Sequence, residues 1–275
     1  MSKLKIIIPF ILIILIILFL SLKSANYLEV YFLDIGQGDA ILIRTPDGQN
    51  ILIDGSADNL LLSQVANNLP WWERTIDYVI ISHYHADHMM GLPALLDKYQ
   101  VKNILVTSHE PDDFLYKVWQ EKLVQHNLVP QIVNRGEQFI INNNLSWQIL
   151  SADNYHEDYN NNSLVIKLSY DDIDFLFTGD LPSEGEEILL AHNFDLDSEI
   201  LKVAHHGSKY SSSQEFLQAV SPEVCVIQVG EDNKFNHPHP DALHRLDNIN
   251  CQVKRNDLEG TISIYSDGQT YWLDI

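Results

Sequence analysis

The sequence predicts an α/β domain of two similar halves, each built from strands with helices outside, preceded by one N-terminal membrane helix. Three observations predict it. Residues 6–22 form an apolar run broken only by Pro9 and Ser21. From residue 28 onward the hydrophobic period switches repeatedly between 2 and 3.6, so short strands alternate with amphipathic helices. No linker, low-complexity tract or charge block interrupts residues 28–275, which therefore read as one unit.

The apolar run follows Lys3 and Lys5 and precedes Lys23. At about 17 residues it meets the lower limit for crossing a bilayer. A cut after Ala25 would put Lys23 where a small residue is wanted, so an anchor is preferred over a cleaved signal. Residues 1–24 are thus a signal anchor or signal peptide. The N-terminal lysines stay cytoplasmic, which leaves residues 25–275 outside, anchored to the membrane or exported.

Residues 30–33, 40–44 and 50–54 read as strands, turned by Gly36-Gln37-Gly38 and Pro46-Asp47-Gly48. A helix over 58–68 leads through Trp71 and Trp72 to an apolar strand at 78–82. Helix 92–99, strand 103–107, helix 114–126 and a strand pair within 139–151 follow. The second round opens with a hairpin, 163–169 and 173–178, around Asp171-Asp172. Then come helix 183–192, strand 199–204, helix 212–220, strand 224–229, helix 241–248 and closing strands at 260–265 and 270–273.

With 17 Lys+Arg against 38 Asp+Glu the net charge is −21, which excludes histone-like binding to polyanions. Any nucleic-acid role must rest on a local basic patch or on metal ions. Cys225 and Cys251 are too few for a thiolate cage; lying in apolar, strand-like stretches, they read as buried thiols, with one disulfide as the alternative. Seven of the 12 histidines cluster, with three in residues 83–88, two at 205–206 and two at 237–239.

His83-Tyr84-His85-Ala86-Asp87-His88 packs four metal-binding groups into six residues directly after a strand. Alternate residues of a tight turn point the same way, so His83 and His85 can hold one ion while Asp87 and His88 reach a second. Three imidazoles crowded together gain nothing without a metal.

This run resembles the signature of metallo-β-lactamase-fold hydrolases. Phe177-Thr178-Gly179-Asp180 is similar to the family's later Asp motif, and His205-His206-Gly207-Ser208 to its late His motif. Asp54, in Leu52-Ile53-Asp54-Gly55, matches an early Asp that supports the ligands from behind. The resemblance implies a four-layer αβ/βα sandwich with metals at the edge between two sheets. It implies two divalent ions, Zn or Mn, held by His83, His85, Asp87, His88, Asp180 and His205, with Asp34 and Asp39 also close to the cations.

Leu33-Asp34-Ile35-Gly36-Gln37-Gly38-Asp39-Ala40, the run LKVAHHGS over 201–208, and His237-Pro238-His239-Pro240 narrow the resemblance to the C-terminal domain of ComEC-type competence proteins. In those proteins a similar domain is thought to degrade the DNA strand that is not transported. The many-helix channel of that family is missing from this sequence. The sequence also departs from the general family in offering Asn162, in Asn160-Asn161-Asn162-Ser163, where a third His would serve the first metal; Asp153, His156 or water would have to replace it.

The function this implies is a phosphodiesterase or nuclease in which a hydroxide bridging the two ions attacks, and Asp87 also orients it. His206, His237, His239, Ser208 and Asn162 are the expected catalytic or substrate-binding groups. Ser208 and Ser211-Ser212-Ser213, at the start of a helix, read as a phosphate cradle or as plain helix caps, and Lys202, Lys209 and Lys234 as basic contacts near the metal motifs. The partner is then single-stranded DNA or a small molecule. Hydrolysis of a small ester, lactone or phosphonate is the alternative, which the net charge of −21 favours. A metal-depleted binding or assembly protein is the second alternative.

Overall fold

The computed structural model describes residues 27–57, 60–152 and 159–274. In chain order the strands of its first half are β1 (Leu28–Phe32), β2 (Ile41–Arg44), β3 (Asn50–Ile53), β4 (Thr75–Ile80), β5 (Gln100–Val106) and β6 (Gln131–Ile132). They are followed by β7 (Gln138–Ile140), β8 (Leu145–Ser151), β9 (Val165–Tyr170), β10 (Ile173–Phe177), β11 (Ile200–Lys202), β12 (Val224–Ile227) and β13 (Gln252–Arg255). The closing strands are β14 (Ile262–Ser266) and β15 (Tyr271–Asp274). One sheet has eight strands in the order β15-β14-β1-β2-β3-β4-β5-β6, the other seven in the order β13-β12-β11-β10-β9-β8-β7. The closing strands therefore belong to the first half's sheet, where β14 pairs antiparallel with β1.

Period-2 alternation decides which side chains meet. Ile41, Ile43, Ile51 and Ile53 face inward and pack between the sheets against Phe175, Phe177, Val224 and Val226. Their neighbours Leu42 and Leu52 face outward onto helices α1 (Leu60–Asn68), α3 (Leu92–Leu96) and α4 (Phe114–His126), the one-turn helix α2 (Ala86–Met89) lying between the first two. On the second sheet Leu176, Leu201 and Ile227 face outward onto α5 (Ser183–Ala191), α6 (Gln214–Val220) and α7 (Pro240–Asn248). Each large apolar side chain buried this way contributes about 1.5–3 kcal/mol. The result is a mixed α/β sandwich of two sheets with helices on both outer faces.

The sequence reading missed β6, β13, α2 and α8 (Asn256–Glu259), all of four residues or fewer. Of the two readings of the cysteines, buried thiols and one disulfide, the second holds: Cys225 and Cys251 form a disulfide that ties β12 to the start of its parallel neighbour β13. The bond closes a loop with a sequence separation of 26, for which chain entropy assigns about 3–4 kcal/mol. Reduced protein is therefore expected to have an unfolding free energy lower by that amount, read by urea titration, and Cys225→Ser with Cys251→Ser to match it without reductant. The apolar run 6–22, and the anchor read from it, lies outside the described residues. Among those described, no helix is long and apolar enough to cross a membrane.

Candidate metal centre

Strands β3, β4 and β5 run parallel, as do β10, β11 and β12, and the segments leaving their C-terminal ends meet at one edge of the sandwich. Three contacts lock that edge. Leu164 donates its N–H to the Ser82 carbonyl (2.9 Å), and His205 donates to the Gly179 carbonyl (3.2 Å). The buried Gln228 amide donates to Ala40 (2.9 Å) and Leu33 (3.2 Å) on the opposite sheet. Gly38, at φ +126°, lets its loop lie against α2: a Cβ there would stand 2.2 Å from the Asp87 carbonyl, which accepts from Asp39 N–H. Asp54, His205 and His206 take left-handed backbone without being glycine (φ 61°, 51° and 53°). Each such residue costs about 1–2 kcal/mol, and such strain concentrates at functional sites.

Four side chains converge there. The Asp87, His88, Asp180 and His206 ligand atoms all lie within 4.8 Å of one another. His88 Nε2 stands 3.3 Å from Asp180 Oδ2, and His206 Nε2 stands 3.3 Å from Asp87 Oδ2 and 3.5 Å from Asp180 Oδ2. Both rings are oriented through their other nitrogen. His88 Nδ1 meets Asp54 Oδ2 at 2.9 Å, and Asp54 is itself held by the Ser82 N–H and hydroxyl. His206 Nδ1 donates to the Gln228 carbonyl at 2.8 Å. His88 Nε2, His206 Nε2 and Asp180 Oδ1 are buried and without a hydrogen-bond partner among the described residues. Two oriented imidazoles and two carboxylates with buried, unsatisfied ligand atoms suit a divalent cation. Asp39, Asp54 and His88 make a second group of possible ligands, but Lys202 already places its ammonium on Asp39.

His83 and His85 stand beside this group, paired Nε2 to Nδ1 at 3.2 Å, with the His83 and His88 ring centroids 4.1 Å apart. His83 Nδ1 is met by Ser82 Oγ (3.0 Å) and Ser163 Oγ (3.5 Å), and Ser163 also accepts from Asp180 N–H.

The facing carboxylates and imidazoles set one another's ionisation. Burial pushes His206 down, but Asp180, Asp39 and Asp87 outweigh it and lift it to about 10. His88 is likewise raised well above its ordinary value, against burial, by Asp180 and Asp54. Asp180 is held well below the usual carboxylate range, burial being overcome by His206, His88 and Lys202. Burial and the neighbouring His88 depress His83 well below its ordinary value. Protons on His88 and His206 thus stand where cations would. A raised folded-state value gives stability that is present below about 6.5 and lost as pH rises through about 10. Chelated protein is therefore expected to lose stability on the order of a few kcal/mol across pH 6.5–10. Added divalent ions should raise the melting temperature more at pH 9 than at pH 6.5, because they take the deprotonated rings. Melting curves with EDTA and with Mn²⁺ check both slopes.

Several sequence assignments change. Of the histidine pair, His206 and not His205 lies in the four-residue group; His205 Nε2 is 3.9 Å from Asp180 Oδ2 and its side chain is 27% exposed. Lys202, read as a basic substrate contact, is fully buried, bonded to Asp39, 2.8 Å from the Gly179 carbonyl and 3.6 Å from Asp180 Oδ1. Ser212 and Ser213 offer no phosphate cradle, since their N–H groups donate to the buried Glu186 carboxylate and Ser213 Oγ caps α6. His239 Nδ1 accepts from Asp241 N–H and caps α7, and Asp34 accepts from Gly36 N–H within its own loop. Ser208 Oγ accepts from Tyr210 N–H. Asn162 is buried in the turn just before Ser163. Asp153 and His156 lie outside the described residues. Beside the group opens a pocket of about 450 Å³ lined by His205, Ser208, Lys209, Tyr210, Phe235, Asn236, His237 and His239. His237 is pushed down to about 4 by burial and by His206 and His205. Sequence reasoning passed over Ser163, Gln228 and Tyr159, whose ring lies 5.0 Å from that of His85; no local motif marks them.

A family model described as the metallo-beta-lactamase superfamily matches residues 33–230. ComE operon protein 3 of Bacillus subtilis is 28% identical over 260 residues, covering 85% of this chain and 32% of its own. Competence protein ComA of Neisseria gonorrhoeae is 26% identical over 244 residues, covering 86% and 32%. The chain thus spans about a third of the length of these relatives. Among solved structures, the metallo-beta-lactamase fold protein YhfI from Bacillus subtilis superposes with a TM-score of 0.59 at 13% identity, covering 90% of this chain and 99% of its own. That likeness concerns the fold.

Proposed function

The chain belongs to the metallo-β-lactamase superfamily, whose members are metal-dependent hydrolases, and on that premise we propose that it is a two-metal phosphodiesterase that cleaves DNA. The observation that carries this reading is the convergence of His88 Nε2, His206 Nε2, Asp87 and Asp180 on one buried spot. Asp87, His88, Asp180 and His206 would hold one ion, and His83 and His85, with Asp180, the other. Bound there, Zn or Mn would stabilise charge on a phosphodiester oxygen and bring the pKa of water from about 15.7 toward 7.

The chain's own groups do the rest. Asp54 and the Gln228 carbonyl fix the rings of His88 and His206, so neither ring has to reorganise during reaction. Lys202 holds the Asp39 carboxylate behind His206. His237, neutral at pH 7, offers a leaving-group oxygen a hydrogen bond from the wall of the pocket. DNA as the substrate draws support from the competence protein among the relatives. Residues 6–22 are read as an anchor that keeps the hydrolase outside the cytoplasm.

The purified full chain, loaded with Mn²⁺ or Zn²⁺, is expected to cleave DNA and a chromogenic phosphodiester, and EDTA to abolish both. Metal-loaded protein that cleaves neither overturns the reading. Turnover of neutral esters alone would favour the small-substrate hydrolase that the charge of −21 also suits.

A further inference from the structure

The pocket beside the metal centre has an outer wall that the reaction does not use. Tyr210 and Phe235 line it while remaining 66% and 53% exposed. Each carries a lysine over its ring: Lys209 Nζ lies 4.7 Å from the Tyr210 centroid, and Lys234 Nζ lies 5.5 Å from that of Phe235. Phe235 stacks on His237 (5.9 Å), whose ring meets His205 at 5.6 Å, so a row of rings leads from the rim toward Asp180.

Those lysines are unusual in this chain. Lys102, Lys117, Lys122, Lys167, Lys202 and Lys254 each meet a carboxylate. Among the described lysines that leaves Lys98, Lys209 and Lys234 without an ion pair, and two of those three stand at this pocket. In a protein of net charge −21, two uncompensated cations beside two exposed rings are a local exception with a chemical meaning.

We propose that Tyr210 and Phe235, with Lys209 and Lys234, form a stacking platform that admits a single-stranded nucleic acid to the metal centre and discriminates against duplex. Unpaired bases present free π faces to such rings while lysines meet the backbone. A duplex keeps its bases stacked within and gains only the lysine contacts. The proposal rests on the phosphodiesterase reading for its substrate, but its own content is a binding preference and is read without cleavage.

The experiment uses the full chain with Mn²⁺ and a fluorescent, phosphorothioate-linked oligothymidine that resists cleavage, against a duplex of the same length, by anisotropy. The single strand is expected to bind more tightly. Tyr210→Ala with Phe235→Ala should weaken single-strand binding by about 5- to 150-fold per ring and leave duplex binding nearly unchanged. Lys209→Ala with Lys234→Ala should lower the slope of log affinity against log salt by about 1.4. Trp71→Ser removes an aromatic that is 79% exposed in the loop ahead of β4, at the strand end opposite the site, and should change nothing. Equal affinity for single strand and duplex, or an unchanged affinity in the aromatic double variant, overturns the platform. Platform-dependent binding by a protein that never cleaves any phosphodiester keeps the platform and overturns the hydrolase reading.

Discussion

Asp180→Asn is expected to lower phosphodiester hydrolysis on the order of a thousand-fold and to purify with less bound metal than the unchanged chain. Asp180 Oδ2 lies 3.3 Å from His88, 3.5 Å from His206 and 3.9 Å from His205, and Asp180 Oδ1 lies 3.6 Å from Lys202. Among the described residues no other carboxylate meets all four. Asparagine keeps the volume and one oxygen but removes the charge, and its N–H₂ competes with the ring nitrogens it should oppose. Fold and pocket should survive, because Asp180 N–H still donates to Ser163 Oγ and the loop after β10 is unchanged. Elemental analysis of the purified variant and its turnover of a chromogenic phosphodiester check the two effects separately. Full metal content with full turnover would show that neither ion depends on this carboxylate.

Much of this centre was legible in the sequence because its residues leave strand ends on short loops, where local spacing fixes direction. His83 to His88 follow β4 after two residues, and Asp180 follows β10 after two as well. The strand alternation was equally legible, since Ile51 and Ile53 had to face one way and Leu52 the other. What stayed hidden depends on conformation that spacing does not encode. Left-handed backbone at both His205 and His206 breaks the alternation rule, so neighbours in sequence gave no guide to which ring turns inward. The serine cluster after Gly207 read as an anion site or as helix caps, and sequence could not decide for the caps because Glu186, which fills the site, comes from α5, 26 residues earlier. β13 carries Gln252, Lys254 and Arg255 around a single valine, so neither the strand nor the Cys225–Cys251 pairing beside it showed in the pattern. Lys202 could have been read correctly. It stands two residues after Ile200 on the same strand, and Ile200 belongs to the core between the sheets.

That position makes the loss of Lys202 costly to the fold. Its ammonium is buried against the Asp39 carboxylate, donates to the Gly179 carbonyl and stands 3.6 Å from Asp180. Burial alone would lower its pKa, but Asp39 and Asp180 outweigh that and raise it, so the charge is kept. Replacing a buried, paired cation leaves its partner uncompensated, at about 3–5 kcal/mol. Lys202→Met, close in length and apolar, is expected to lower unfolding free energy by that amount at pH 7, measured by urea titration of the metal-free chain. Asp39→Asn added to Lys202→Met should return part of the loss, because the orphaned carboxylate is then gone. Divalent ions should stabilise Lys202→Met more than the unchanged protein, since they supply a cation to carboxylates that have lost theirs. A variant within about 0.5 kcal/mol of the unchanged chain would mean that Asp39 finds another partner, and His206 Nδ1, 3.4 Å from Asp39 Oδ1, is the group positioned to provide it.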